Sequence, residues 1–264
     1  MIRSSRIGRD FAVLTTFVGL AALAAGCSTG VGDDRAAGTA TEQITVFAAS
    51  SLTGPFSDIG ALLEARHPGS KVRFSFAGSA ELAAQLDQGA EADIFAAADG
   101  STMTAAVDAN RVAGHPTTFA TNSMAIAVPP DNPAGIGRFA DLARPGVRLV
   151  LCLPTVPCGA ATQRVERNTG VTLRPVSEES SVTDVVTKVI AREADAGVVY
   201  VSDIKRAGNR LTGIGIPSRD NTTNHYQIAT LTGGPAPGLA GEFRDLVVSG
   251  DGQRILRAAG FGSP

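Results

Sequence analysis

The chain has no tryptophan, only two tyrosines, three cysteines and three histidines among its 264 residues. Each scarcity removes a class of function. With no tryptophan, no basic stripe and a net charge of −2, it lacks the electrostatic footprint of a nucleic-acid partner. His67, His115 and His225 are scattered, so they do not join the cysteines in a four-ligand zinc pattern. Tyr200 and Tyr226 alone are too few phenolate oxygens for a ferric site. There is no internal repeat, and low complexity is confined to one short N-terminal segment. The apolar run from Phe11 to Ala25 is too short to cross a bilayer comfortably as a permanent helix.

That run has a different meaning. Arg3, Arg6 and Arg9 precede it, and Leu23-Ala24-Ala25-Gly26-Cys27 closes it, the layout of an export signal. The small residues leading into a cysteine resemble the lipobox of bacterial lipoproteins. The resemblance implies a signal peptide over 1–26 and a first mature residue, Cys27, carrying a palmitate-type lipid. Ordinary signal cleavage beside an unrelated cysteine is the alternative. A single lipidated terminus holds a body at the membrane surface without spanning it. Residues 27–41, rich in Gly, Ala, Thr and Asp after the cysteine, read as a flexible tether. The globular part then runs over 42–264, long enough for one large domain or two small lobes.

Past Cys27 only Cys152 and Cys158 remain. Outside the cytoplasm an even pair at this spacing is read as a disulfide. A reactive thiol and half of a metal site are the competing readings.

Along the body short apolar runs alternate with helical patterns. Ile44–Ala49, Val72–Phe76, Asp93–Ala97, Met124–Val128, Val147–Leu151 and Gly197–Val201 read as strands. Helices are expected over about Leu52–Arg66 and Ala80–Asp87. Another should span Val182 to Ile190, where Val182, Val185, Val186, Val189 and Ile190 follow i, i+3, i+4, i+7, i+8. A last helical stretch covers about Gly241–Ala259, interrupted near Ser249-Gly250-Asp251-Gly252. Strand–helix alternation predicts an α/β fold with mostly parallel sheets, whose ligands sit beyond the carboxyl ends of the strands.

Three segments carry small polar residues or bare amides into a helix: Ala49-Ser50-Ser51-Leu52, Ala77-Gly78-Ser79-Ala80 and Ser180-Ser181-Val182. A helix N-terminus offers free N–H donors and the positive end of a dipole, so it suits an anion. Alone, each serine reads equally well as an ordinary N-cap.

The ordered set says more. Val46 to Thr53 (VFAASSLT), Ser75 to Ala83 (SFAGSAELA), Gln88 to Asp99 (QGAEADIFAAAD), Val156-Pro157-Cys158-Gly159, Val182 to Asp203 and Gly260-Phe261 resemble, in order and spacing, the periplasmic molybdate-binding proteins. The resemblance spans essentially the whole body. It implies a two-lobed periplasmic-binding-protein fold of type II, each lobe a sheet flanked by helices, with the ligand in the cleft. Lobe 1 would comprise 42–125 and 228–264, and lobe 2 would comprise 126–227. It further implies a monomer, anchored outside the cytoplasm, that captures molybdate and tungstate for the membrane permease of an ABC transporter.

Carried over position by position, the oxyanion contacts fall on Ser51 and Ser79 through hydroxyl and amide, Cys158 and Val182 through amides, and Tyr200 through its hydroxyl. Cys158 departs from the alanine common there, but only its N–H is required. No cofactor and no free metal cation is implied, since molybdenum would arrive as its oxyanion. The donor set is coherent by itself. A fully deprotonated oxyanion only accepts hydrogen bonds, and none of the five positions carries a formal charge. Counter-charge would come from amides and helix dipoles.

Sulfate, also a proton-free dianion, is the rival ligand. A hydrolase on an α/β scaffold is the distant alternative. Against it, the body over 42–264 has no Gly-x-Ser-x-Gly elbow and no histidine near the candidate serines in sequence. Asp93 and Asp99 read as structural or cleft-edge residues, not as a catalytic pair.

Overall fold

The computed structural model describes residues 42–264. The signal-peptide, lipid-anchor and tether readings fall on 1–41, outside the described residues. The first half of the body winds strand into helix: β1 (Gln43–Ala49), α1 (Thr53–Arg66), β2 (Lys71–Ala77), α2 (Ser79–Asp87), β3 (Ile94–Ala97) and α3 (Gly100–Asp108). A long strand follows, β4 (Val112–Val128), then β5 (Leu149–Cys152), α4 (Pro157–Thr169), β6 (Ser177–Glu179), α5 (Val182–Ile190), β7 (Ala196–Tyr200) and α6 (Val201–Ala207). The chain closes with β8 (Thr212–Gly215), β9 (Thr223–Leu231), α7 (Pro237–Val248) and α8 (Gly250–Ala258). Among the described residues no helix is long and apolar enough to cross a membrane.

The strands lie in the order β2-β1-β3-β9-β4-β7-β5-β6, with β8 also paired to β4. The outer strands pair parallel, β1 with β2 and β3, and β5 with β6 and β7, because each is reached through a helical crossover. The middle of the sheet is antiparallel: β9 pairs with β3 and β4, and β4 with β7 and β8. The sheet is therefore mixed. β4 changes partner along its own length. Val112–Ser123 lies against β9, and Met124–Val128 against β7 and β8.

β4 is far longer than its apolar run Met124–Val128 suggests. Gly114 at φ 77° and Pro116 interrupt the first part, and register shifts fall between Ala113 and Thr117 and between Thr118 and Ala120. Such bulges break the two-residue alternation by which a strand is recognised. The last helical stretch begins earlier than expected, at Pro237, a residue suited to the first helical turn. It breaks at Ser249, whose hydroxyl accepts from the Gly252 amide.

Apolar side chains gather in separate cores. One draws on residues from Met124 to Ile216, including the valine stripe of α5. The other two draw on residues before Val128's stretch of β4 and after β8, among them Ile44, Phe56, Phe119, Phe243 and Phe261. Phe56 lies 5.6 Å from Phe119 and 5.5 Å from Phe243 between ring centroids, contacts worth about 0.5–1.5 kcal/mol each beyond their burial. This cluster fixes α1 and α7 over the sheet, and with α1 the turn at Ser50–Leu52.

Candidate functional site

Four helices begin at carboxyl ends of strands and face one small cavity. β1 and β2 run parallel with Ala49 opposite Ala77, so the Ser50–Leu52 turn before α1 leaves beside Gly78, the N-cap of α2. β5 and β6 run parallel with Cys152 opposite Glu179. Their exits feed α4, capped by Val156, and α5, capped by Ser181. The sequence marks three of these starts. The fourth, α4, has valine and not a hydroxyl or carboxylate residue at its N-cap, Val156, and begins on Pro157. Its only mark in the sequence is the resemblance carried by Val156-Pro157-Cys158-Gly159.

Ser51, Ser79, Cys158, Val182 and Tyr200 all line this cavity, and all are buried. Its free volume is about 20 Å³, little more than one small species needs. Other cavities are roomier, such as the open groove between α1, α6 and α8, but none brings helix starts together in this way.

The polar groups are set as donors. Ser79 Oγ accepts from the Ala98 amide at 3.0 Å, which leaves its own proton free for another acceptor. Ser51 Oγ is 2.9 Å from the Tyr226 hydroxyl. Tyr200 Oη is 2.9 Å from Asn224 Nδ2. Burial, aided by Tyr226 and the carboxylates of Asp99 and Asp203, pushes the Tyr200 hydroxyl well above the usual phenol range, so it keeps its proton. Cys158 and Val182 sit in the first turns of α4 and α5, where amides have no acceptor within the helix. No lysine, arginine, aspartate or glutamate lines the cavity.

Cys152 and Cys158 are joined by a disulfide with Cα atoms 5.7 Å apart. It ties the end of β5 to the first turn of α4 and so fixes the Cys158 amide. The loop it closes is tight: a Cβ on Gly159 would fall 1.9 Å from the Leu153 carbonyl oxygen. The sulfurs are thus neither free thiols nor metal ligands here. Among the described residues no group of three or more His, Cys, Asp or Glu could hold a metal ion. Asp99 caps α3 through the Thr102 amide, and Asp93 accepts from the Thr45 and Ala236 amides. Both carboxylates are occupied with backbone.

Sequence reasoning missed the supports behind the donors: Ala98, Asn224 and Tyr226. A signal existed for two of them. In β9 Asn224, Tyr226 and Ile228 alternate inward while Thr223 and His225 are exposed, and a buried asparagine on such a face needs partners.

Residues 44–262 match the family model described as bacterial extracellular solute-binding protein. The chain is 50% identical over 222 residues to the molybdate-binding protein ModA of Mycobacterium tuberculosis, covering 84% of this chain and 85% of that protein. Among solved structures it resembles the periplasmic molybdate-binding protein of Azotobacter vinelandii, with TM-score 0.74, 20% identity, and 84% and 99% of the two chains covered. It also resembles the sulfate-binding protein SubI of Mycobacterium tuberculosis H37Rv, with TM-score 0.69, 20% identity, and 83% and 86% covered. At these identities the two structures speak to the fold alone.

Proposed function

The chain belongs to the bacterial extracellular solute-binding protein family, and from that premise we propose that it captures molybdate outside the cytoplasm and delivers it to an ABC transporter. One observation carries the choice of ligand. The cavity is uncharged, small, and lined by hydroxyls and helix-start amides poised to donate, in a chain half identical to a molybdate-binding protein. Charge-assisted hydrogen bonds to an oxyanion are about twice as strong as neutral ones, and burial strengthens them further. With no formal counter-charge, release remains possible, as delivery requires.

In this reading Ser51, Ser79, Cys158, Val182 and Tyr200 hold the oxyanion, and tungstate, alike in charge and nearly so in size, is a second ligand. Residues 42–125 with 228–264 act as one lobe and 126–227 as the other, closing on the anion by a hinge motion. The protein works as a monomer, without catalysis, held to the membrane by lipid on Cys27 and handing its cargo to the permease. Calorimetric titration with molybdate, tungstate, sulfate and phosphate tests the ligand. Molybdate and tungstate should bind tightest, and tighter binding of sulfate would replace this assignment. Membrane fractionation of Cys27→Ala tests the anchor, which unchanged retention of the mature protein would rule out.

A further inference from the structure

Asn224 lies behind the cavity, 2% exposed, and both ends of its amide are fixed by groups that cannot change role. Arg164 Nη2 donates to Asn224 Oδ1, and a guanidinium has no acceptor to offer. On the other side Asn224 Nδ2 faces the Ala98 carbonyl at 3.1 Å, which can only accept. The amide orientation is therefore forced from two directions. Arg164 is itself steadied by Thr222 Oγ1, 3.0 Å from its Nε.

The consequence falls on Tyr200. Nδ2 has two protons for three oxygens, the Ala98 carbonyl, the Pro157 carbonyl at 3.4 Å and Tyr200 Oη at 2.9 Å. Oη is the nearest, and because an amide nitrogen accepts nothing the phenol oxygen is the acceptor there. Its single proton then points elsewhere, toward the cavity or toward the neighbouring Tyr226 hydroxyl. A dianion is much the stronger acceptor of the two. We infer that Asn224, oriented by Arg164, is a positioning residue that fixes Tyr200 as a donor and thereby makes the site reject oxyanions that carry a proton. Without Asn224 the Tyr200 oxygen is free to accept, and a protonated anion can then satisfy its own O–H against it.

The inference rests on the oxyanion reading above, and the test separates the two. Wild type, Asn224→Ala, Tyr200→Phe and the double variant are titrated calorimetrically with sodium molybdate and with phosphate near neutral pH. Asn224→Ala should weaken molybdate about tenfold or more, the size of one charge-assisted hydrogen bond. Phosphate should hold or gain, so the molybdate-to-phosphate ratio narrows. Tyr200→Phe should show a similar molybdate loss, and adding Asn224→Ala to it should cost little more. A proportional loss of both anions in Asn224→Ala, or additive effects in the double variant, would overturn the inference while leaving the molybdate reading intact. If wild type binds no molybdate, both fall together. Should Asn224→Ala fail to fold, Arg164→Met releases the amide from its partly buried outer end, and the same narrowing of the ratio is required of it.

Discussion

The α-carbon of Gly78 faces the backbone carbonyl of Ser180 so closely that a Cβ would sit 2.2 Å from that oxygen. Gly78 has φ −60° and ψ 135°, a conformation open to any residue, so its smallness matters only where α2 and α5 begin side by side. In the proposed two-lobe reading Gly78 and Ser180 belong to different lobes, so Gly78→Ala should leave the packing within each lobe intact and hinder their approach on closure. We expect an unliganded Tm close to wild type, molybdate affinity reduced at least about tenfold, and a smaller ligand-induced rise in Tm. Wild-type affinity in a titration would show that the contact is not required for binding.

The disulfide gives a second prediction. Closing so short a loop stabilises the fold by roughly 2 kcal/mol in the chain-entropy model, a modest share for a body of this size. Its location adds to this, because Cys158 brings an amide to the cavity. Reduction, or the paired change Cys152→Ala with Cys158→Ala, should lower Tm by several degrees and weaken oxyanion binding while the fold survives. Mass-tagging of the non-reduced exported protein should find no free thiol at either position.

Acid should expose a different part of the molecule. Asp195 accepts from Arg148 through its backbone amide at 2.9 Å and its guanidinium at 2.6 Å. The Arg148 hydrogen bond holds its carboxyl below the ordinary value of 3.8. A depressed folded pKa stabilises the protein above the unfolded value, and that contribution is lost as pH falls through the folded one. With Arg148 about half exposed, solvent screening keeps the pair's contribution small. Asp195→Asn should thus lower Tm modestly at pH 7, and the gap to wild type should narrow as pH falls below about 4 and close below the folded value. A gap that persists into acid would mean that Asp195 acts through packing and not through its charge.

Much of this was legible in the sequence because the site is local in character. Strand, small residue and helix follow one another at Ser51 and Ser79, and the valine stripe announces α5 at Val182. What was hidden is long-range. The partners of the donors come from elsewhere: Tyr226 is 175 positions from Ser51, Ala98 is 19 from Ser79, and Asn224 is 24 from Tyr200. No periodicity encodes such pairs. β4 was obscured for the opposite reason, its alternation being broken by its own bulges.

The two serines should respond differently to the same change. Ser51→Ala removes one hydroxyl donor and leaves Tyr226, whose own hydroxyl can turn, so the loss should fall mainly on binding, about tenfold for a bond to a charged ligand. Ser79→Ala removes a similar donor and also strips the Ala98 amide of its acceptor. A buried N–H left unpaired costs about 1–3 kcal/mol, so this variant should lose Tm as well as affinity. Ser51→Asp sets a carboxylate into a cavity with no formal positive charge on its lining, against an anion that needs every donor, and should nearly abolish molybdate binding. Phosphate, which keeps a proton near neutral pH, should bind wild type at least about tenfold more weakly than molybdate, since that proton meets only donors. Calorimetry with thermal melts on the same samples separates these outcomes. Phosphate matching molybdate, or Ser51→Asp binding as the parent does, would defeat the donor-only account of the site.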